Sequence, residues 1–263
     1  MYLIFFLVSI IACTVGAICG IGGGVIIKPV LDATKVMGVD SISFLSGTTV
    51  LSMTVISVFK SVSKKEASIQ WKIGTPLAIG AAIGGIIGKS VFQYAYVILK
   101  NEDTVGALQS FTLAVITIGT LIYTLQSHKI KTLNVSNIIT VTAIGLALGL
   151  ISAFLGIGGG PINIVVLSYF FSMATKKAAI NSLYVIMFSQ FTSFISTLLT
   201  ASVPEFDILY LILMVIGGVA GGLIGGKINS KISEKGVDKL FIILMIFIIL
   251  LNIYNTAEFL HLW

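Results

Sequence analysis

The chain has 263 residues, of which 57% are hydrophobic and 10% are charged, and its mean hydropathy is +1.09. A typical soluble chain carries about 25% charged residues, so this composition excludes a soluble protein and predicts an integral membrane protein without a sizeable domain outside the bilayer. The formal charge of +6 comes from 16 lysines, which cluster between apolar runs and therefore indicate membrane topology, not nucleic-acid binding.

Eight long apolar blocks follow one another along the chain, joined by short polar connectors. One helix needs about 20 apolar residues to cross a membrane, and the blocks do not alternate as the strands of a transmembrane barrel would. The sequence therefore predicts an all-α, multi-pass protein of the cell membrane, embedded in the lipid bilayer. The blocks cover approximately residues 2–36, 41–59, 73–99, 104–126, 133–174, 178–203, 208–226 and 240–260.

The first block contains both cysteines of the chain. Cys13 and Cys19 lie on neighbouring helical turns of an apolar run, where neither a disulfide nor a metal site is expected. We interpret them as packing residues, and we expect no metal ion or other cofactor.

Two glycine patterns indicate an internal duplication. Gly20-Ile-Gly-Gly-Gly24 recurs in the second half of the chain as Gly156-Ile-Gly-Gly-Gly160, and we call the separation between Gly20 and Gly156 the repeat offset. The third block has three glycines at four-residue spacing, and so does the seventh block. Corresponding glycines of these two series are one residue further apart than the repeat offset. A weaker echo at a slightly shorter offset joins Thr48-Thr49 to Asn181-Ser182. The sequence therefore predicts two homologous repeats, residues 1–131 and residues 132–263. The spaced glycines are those at positions 80, 84, 88, 217, 221 and 225.

The two GIGGG runs are predicted to break their helices, because each glycine costs about 1 kcal/mol relative to alanine in a helix. Pro161 directly after the second run suits the first turn of a new helix. Unwound backbone is tolerated at membrane depth only inside protein or beside a wet cavity, so two matching breaks indicate a transporter's binding site. Free amides and the positive helix ends there favour an anion. The alternative is that the glycines only permit close helix packing, which is the interpretation we favour for the four-residue series.

The lysines distinguish two topologies. Eight single crossings would divide the lysines ten against six between the two sides of the membrane. If the first and fifth blocks instead dip in and return, the division is twelve against four, with only Lys28, Lys35, Lys89 and Lys100 outside. The second division follows the positive-inside rule better, and it predicts inverted repeats with helices broken at GIGGG and both termini outside the cytoplasm.

The paired GIGGG signatures, each closing the N-terminal helix of a four-block repeat, resemble the TauE/SafE family of membrane transporters, also called the sulfite exporter family. The resemblance covers essentially the whole chain. It implies export of sulfite or of a small organosulfonate such as sulfoacetate, and more loosely transport of other sulfur-containing anions. Pro29 and Gly47-Thr48-Thr49-Val50 match further family features, whereas the corresponding stretch of the second half, Ile180-Asn181-Ser182-Leu183, departs from them.

A sulfur oxyanion offers tetrahedral oxygens to hydrogen-bond donors, so backbone amides at the breaks, hydroxyls, side-chain amides and an ammonium are the groups expected around it. For the hydroxyls and Asn181 the alternative is hydrogen bonding within or between helices, and for Lys28 it is snorkelling to the membrane interface with Asp32 as its neighbour. The candidate binding residues are Gly22, Gly23, Gly24, Gly158, Gly159, Gly160, Thr48, Thr49, Asn181, Ser182, Asn163, Gln190 and Lys28.

The expected function is alternating-access export of a small anion, with no catalytic residue and no nucleic-acid partner. An anion channel, or an importer of another sulfur compound such as thiosulfate, remains open, as does a homodimer. An intramembrane enzyme is disfavoured because no nucleophile motif, zinc motif or cluster of carboxylates is present. A structural subunit would not need two symmetric breaks. We also find no central Asp or Glu in the apolar blocks, which argues against a proton relay.

Overall fold

The structure, a computed structural model, describes residues 1–64, 69–99 and 101–261, without the side chain of Lys64. Lys65 and Lys100 of the lysine count therefore lie outside the described residues. Helix makes up 83% of the chain, and the described part contains no strand. The α-helices are α1 Tyr2–Cys19, α2 Gly24–Asp32, α3 Val39–Lys64, α4 Trp71–Leu99, α5 Glu102–Gln126, α6 Ile138–Leu155, α7 Pro161–Phe171, α8 Thr175–Leu199, α9 Ile208–Lys231 and α10 Glu234–Phe259.

Seven of the described helices, α1, α3, α4, α5, α8, α9 and α10, are long and apolar enough to cross a membrane. The helices α6 and α7 are also apolar but shorter. Large apolar side chains such as Ile139, Leu199 and Tyr94 are exposed on the outside of the bundle, as lipid contact requires. The predicted all-α, multi-pass membrane protein is confirmed.

The first and fifth apolar blocks each contain two helices. Residues 20–23 separate α1 from α2, and residues 156–160 separate α6 from α7. Gly20 has φ 74° and Gly156 has φ 65°, a left-handed conformation that glycine adopts without a steric penalty. Pro161 takes the first position of α7, where its missing amide hydrogen leaves no helix bond unmade.

Both of these helix pairs return to the end of the bundle where they start. At the start of α1, the hydroxyl of Tyr2 donates to Asp207, directly before α9, at 2.5 Å. After α2, Lys35 forms a 2.6 Å ion pair with Glu258, near the end of α10. Only residues 232–233 separate α9 from α10, and each helix is long enough to cross a membrane, so the start of α9 and the end of α10 lie at one end of the bundle. The α1–α2 pair therefore enters and leaves at that end.

The α6–α7 pair is closed by backbone hydrogen bonds. The amide of Leu133, before α6, donates to the carbonyl of Tyr169 near the end of α7 at 2.7 Å. Directly after α7, Thr175 at the start of α8 donates to Asp238 in the first turns of α10 at 2.7 Å. The start of α10 is the end of the bundle opposite to Glu258, so the second pair enters from the opposite side.

The glycine series at four-residue spacing serves helix packing, as predicted. A Cβ added at Gly80, Gly84 or Gly88 of α4 would lie 2.0 to 2.3 Å from carbonyl oxygens of α6. At Gly221 and Gly225 of α9, the same addition would meet the backbone of α1 at 2.7 and 2.4 Å. These contacts let helix backbones touch, which is how small residues stabilise helix pairs in lipid.

Most helix packing occurs in matching couples. α4 packs along α6 as α9 packs along α1, and α4 packs on α8 as α9 packs on α3. In the same way, the contact of α2 with α3 corresponds to that of α7 with α8, and the contact of α2 with α10 corresponds to that of α7 with α5. The contacts α3–α8 and α5–α10 each join two corresponding helices. The extensive α4–α6 and α1–α9 contacts join the first part of the chain to the second, so the two parts interlock.

Candidate functional site

The two glycine segments cross at the centre of the molecule. A Cβ added at Gly22 would lie 2.8 Å from the carbonyl oxygen of Gly158, and one at Gly24 would lie 2.0 Å from that of Ile157. At Gly159 it would lie 3.2 Å from the carbonyl oxygen of Ile21. The crossing is a contact of backbone with backbone, and side chains at these positions would force the segments apart.

Several amides at the crossing are free of hydrogen bonds. Within the described chain, no backbone or side-chain acceptor receives the amides of residues 22–25 or of residues 158–160. All of these residues are buried. Because buried amides are almost always paired, a row of unpaired ones in each segment is suited to binding an anion.

Two aliphatic side chains line the crossing. Val50 of α3 lies 3.3 Å from the Cβ position of Gly22, and Ile186 of α8 lies 2.4 Å from that of Gly159. Val50 and Ile186 are separated by the repeat offset, as the two glycine runs are. The antiparallel helices α3 and α8 therefore present corresponding residues to the crossing.

Two buried serines, one in α3 and one in α8, lack hydrogen-bond partners. The hydroxyls of Ser46 and Ser182 are unpaired, and both residues are fully buried. Ser46 Oγ lies 2.8 Å from the Cβ position of Gly24. Ser182 was among the sequence candidates, whereas Ser46 was missed. Ser46 and Ser182 are separated by the repeat offset, and this correspondence could have identified Ser46 from the sequence. The weaker echo paired Ser182 with Thr49 instead and so obscured it.

The two candidate amides, Gln190 and Asn163, also lie beside the glycine segments. The carboxamide carbon of Gln190 is 3.2 Å from the Cβ position of Gly158, and its nitrogen makes a long 3.5 Å contact with the hydroxyl of Ser152. Asn163 shares a small cavity with Gly159, and its side-chain oxygen has no hydrogen-bond partner. These two residues can supply polar atoms to a ligand at the crossing.

Three candidates are engaged elsewhere, which differs from their expected role as ligand donors. Thr48 and Thr49 donate to the carbonyls of Phe44 and Leu45, one turn earlier in α3, at 2.9 and 2.7 Å. Asn181 accepts a hydrogen bond from the amide of residue 70 and donates to the carbonyl of residue 177. The alternative considered for these residues, hydrogen bonding within and between helices, describes them in this structure.

Lys28 is also committed to a protein partner. Its ammonium lies 2.6 Å from the carboxylate of Asp32, one turn later on α2, and both side chains are buried. Asp32, the last residue of α2, is only 5% exposed, so the end of the first apolar block holds a buried carboxylate. Because each charge is compensated by the other, neither is free to attract an anion by itself.

A cleft of about 510 Å³ opens at the end of the bundle where α10 begins. Its walls carry four lysines and one carboxylate, namely Lys60, Lys176, Lys177, Lys227 and Glu234. This excess of positive charge raises the local concentration of anions.

The floor of the cleft lies against the first glycine segment. Ala17, Ala179 and Leu183 line the cleft, and the Cα of Ala179 is 2.2 Å from the Cβ position of Gly20. The cleft therefore leads from the lysines towards the crossing.

This architecture, with long apolar helices around two helices that end inside the bundle, is that of a multi-pass membrane transporter. The chain belongs to the sulfite exporter TauE/SafE family, whose sequence model matches residues 5–251. It matches no curated protein and no solved structure. Family membership makes the protein a membrane transporter of the class that exports sulfite and related sulfur anions.

Proposed function

We propose that the protein exports a small sulfur-containing anion, sulfite or an organosulfonate such as sulfoacetate, across the cell membrane by alternating access. The observation that carries the proposal is the crossing of two unwound segments whose buried amides are unpaired. The lysine-lined cleft that leads to it supports an anionic substrate. The proposed binding groups are the amides of residues 22–24 and 158–160, with Ser46, Ser182, Asn163 and Gln190 around them.

We also propose that residues 1–131 and 132–263 are inverted repeats. The starts of the first four helices in each part are separated by the repeat offset or by one residue more, and the helix contacts form matching couples. The α1–α2 and α6–α7 pairs enter from opposite ends of the bundle, as inversion requires. The lysine-lined cleft then faces the cytoplasm by the positive-inside rule, so the described state is open to the inside.

Labelling of single cysteines tests this orientation. Ser61 lines the cleft, and Lys235 follows Glu234, which also lines it. Ser61→Cys and Lys235→Cys should therefore both react with a membrane-impermeant reagent only from the cytoplasmic side. Reaction of the two on opposite sides would contradict the inverted arrangement.

An anion channel needs a continuous pore. At the other end of α3 and α8, opposite to the cleft, the cavity has a volume of only about 30 Å³, roughly one water molecule. This narrowing on one side favours a carrier over a channel. Single-channel recording in planar bilayers separates the two, because a carrier gives no unitary currents. Import of thiosulfate is tested by the direction of transport in oriented proteoliposomes.

The export step needs no coupling ion in this proposal. An inside-negative potential contributes about 2.3 kcal/mol per unit charge per 100 mV to moving an anion outwards. Asp32, the carboxylate buried in α2, is neutralised by Lys28 at 2.6 Å, so a proton is not needed to compensate its charge. Efflux from proteoliposomes should follow an imposed potential, and a response to a pH gradient at clamped potential would contradict passive export.

A ligand screen tests the substrate class. Sulfite, thiosulfate, sulfoacetate, taurine, sulfate and simple carboxylates should be compared by thermal unfolding of the purified protein and then by efflux. A ligand stabilises the folded state by RT ln(1 + [L]/Kd), so the substrate should raise the unfolding temperature in proportion to the logarithm of its concentration. If only carboxylates stabilise the protein and move across the bilayer, the sulfur-anion assignment is wrong.

A further inference from the structure

The small cavity opposite to the cleft is lined by the residues that correspond to those of the cleft. Both cavities border α3 and α8, the cleft at the C-terminal end of α3 and the small cavity at its N-terminal end. In six lining pairs the partners are separated by the repeat offset, and each pair contributes one member to each cavity. These pairs are Ala17 and Ala153, Ser57 and Ser193, Ser61 and Thr197, Ala179 and Ser43, Ile180 and Phe44, and Leu183 and Gly47.

Aromatic rings narrow the small cavity. Phe44 and Phe194 stack with their centroids 5.9 Å apart, and Phe206 packs on Phe44 at 5.5 Å. In the open cleft, Ile180 takes the place of Phe44 at the repeat offset. The two cavities thus have corresponding linings but very different volumes, about 510 Å³ for the cleft and about 30 Å³ for the small cavity.

Lys89 of α4 lines the small cavity and has no ionic partner. The residue is 8% exposed, and its ammonium lies 5.0 Å from the centroid of the Phe92 ring. Among the described residues, no carboxylate comes within the 4.0 Å of a salt bridge, although the charge of Asp40 acts on Lys89 from a distance. The other residues that line this cavity are uncharged.

A buried lysine without a carboxylate is costly, and in a membrane protein such a group marks a pathway for ions or substrates. The cavity also connects to the crossing, because Gly156 and Gln190 line it. Lys89 directly follows Gly88 in α4, and Gly226 directly follows Gly225, the corresponding packing glycine of α9. Gly226 therefore corresponds to Lys89, and it lines the cleft. Lys89 is therefore a charge that the second half does not repeat.

We propose that Lys89 is an anion-binding residue of the transport path, at a second station that opens to the face opposite the cleft. When the cleft closes, the rings of Phe44 and Phe194 separate, and the ammonium of Lys89 binds the sulfite or sulfonate group that leaves the crossing. This inference rests on the proposed function for the identity of the anion. The opening of the cavity and the role of the charge are tested separately below.

Cysteine accessibility tests whether the cavity opens. Lys89→Cys and Gly226→Cys are introduced into the full chain with Cys13 and Cys19 replaced by alanine, and both are treated with an impermeant, anionic methanethiosulfonate reagent from each side of the membrane. Gly226→Cys should react only from the cleft side. Lys89→Cys should react only from the opposite side, more slowly, and sulfite should slow its reaction. Labelling of Gly226→Cys without any labelling of Lys89→Cys would overturn the proposal.

Charge substitution tests the role of Lys89 in binding. Lys89→Met should lower sulfite transport by about tenfold or more, as expected for loss of a charge-assisted hydrogen bond, while the unfolding temperature stays equal or rises because a desolvated charge is removed. Lys89→Arg should retain most of the transport. Lys72→Met, the same change at an exposed lysine of α4, is the matched control and should transport normally.

The outcomes separate this inference from the proposed function. Normal transport by Lys89→Met would show that Lys89 is not on the path. Loss of transport together with a lower unfolding temperature, without rescue by Lys89→Arg, would show a structural role instead. If the unsubstituted protein moves neither sulfite nor a sulfonate, the proposed function fails, and the accessibility of Lys89→Cys still decides whether the cavity opens.

Discussion

The cleft and the small cavity have corresponding linings but very different volumes. At the cleft, aliphatic and small side chains leave about 510 Å³ free, whereas at the other end aromatic rings reduce the cavity to about 30 Å³. The charge also differs, since the cleft carries several lysines on its rim and the small cavity holds one buried lysine. In the proposed alternating-access mechanism either end opens in turn, and this difference in side chains determines how each end receives an anion.

At the glycine crossing between the two cavities, the two glycine segments are alike. Gly20 and Gly156 share the left-handed conformation, with φ 74° and φ 65°, and a corresponding aliphatic side chain packs on each segment. In the proposed mechanism the crossing serves both access states, so changes there should impair both directions, whereas changes in one cavity should affect one end of the path.

The largest effect is expected from Gly24→Ala at the crossing. The added Cβ would lie 2.0 Å from the carbonyl oxygen of Ile157, so the segments must separate. We expect transport to fall to background and the free energy of unfolding to fall by about 1 to 3 kcal/mol. Gly119→Ala is the control, because a Cβ there meets nothing within 4 Å. Wild-type efflux by Gly24→Ala would exclude the crossing as the site.

The unpaired serines should give the next largest effect. Ser46→Ala and Ser182→Ala remove hydroxyls that bond to no protein group, so stability should not fall, while sulfite efflux should drop about tenfold for each. Thr49→Val removes a hydroxyl that bonds within α3 and should leave efflux unchanged. An effect of Thr49→Val equal to that of the serines would argue that these variants act through packing.

The cleft lysines should contribute less. Lys176→Gln with Lys177→Gln should slow uptake of the anion from the cleft side by about two- to fivefold at low ionic strength, because exposed charges act by steering. The difference should disappear above about 0.5 M salt, where the screening length is only a few ångströms. A defect that persists at high salt would mean that these lysines bind the anion directly.

The smallest effect concerns Asp207, which the hydroxyl of Tyr2 and the amide of Leu209 hold at the start of α9. The hydrogen bond from Tyr2 lowers the pKa of Asp207 below its usual 3.8. Its contribution to stability is therefore present above pH 3.8 and is lost as the pH falls through the lowered pKa. Asp207→Asn should unfold at a slightly lower temperature than wild type at pH 7, and the gap should close in strong acid. The residue at the repeat offset from Tyr2 is Ile138, which has no hydroxyl and so cannot make the corresponding hydrogen bond between α6 and α4.

The sequence by itself determined the class of protein and the places where helices end. Apolar length identifies membrane segments because lipid solvates no backbone, and a run of glycines ends a helix through its own conformational entropy. Four-residue spacing put the packing glycines of α4 and α9 on one helix face. These are local properties, which the residues carry wherever the helices are placed.

The tertiary structure decided which polar groups remain available to a ligand. Asn181 and Ser182 are adjacent in the chain, yet one bonds to the amide of residue 70, brought to it by the packing of α4 on α8, and the other has no partner. The pairing of α4 with α6, the burial of Lys89 and the narrowing of one cavity likewise depend on contacts between distant segments. A hydrogen bond or an ion pair needs both partners at the right distance, and sequence spacing fixes that distance only within a helix.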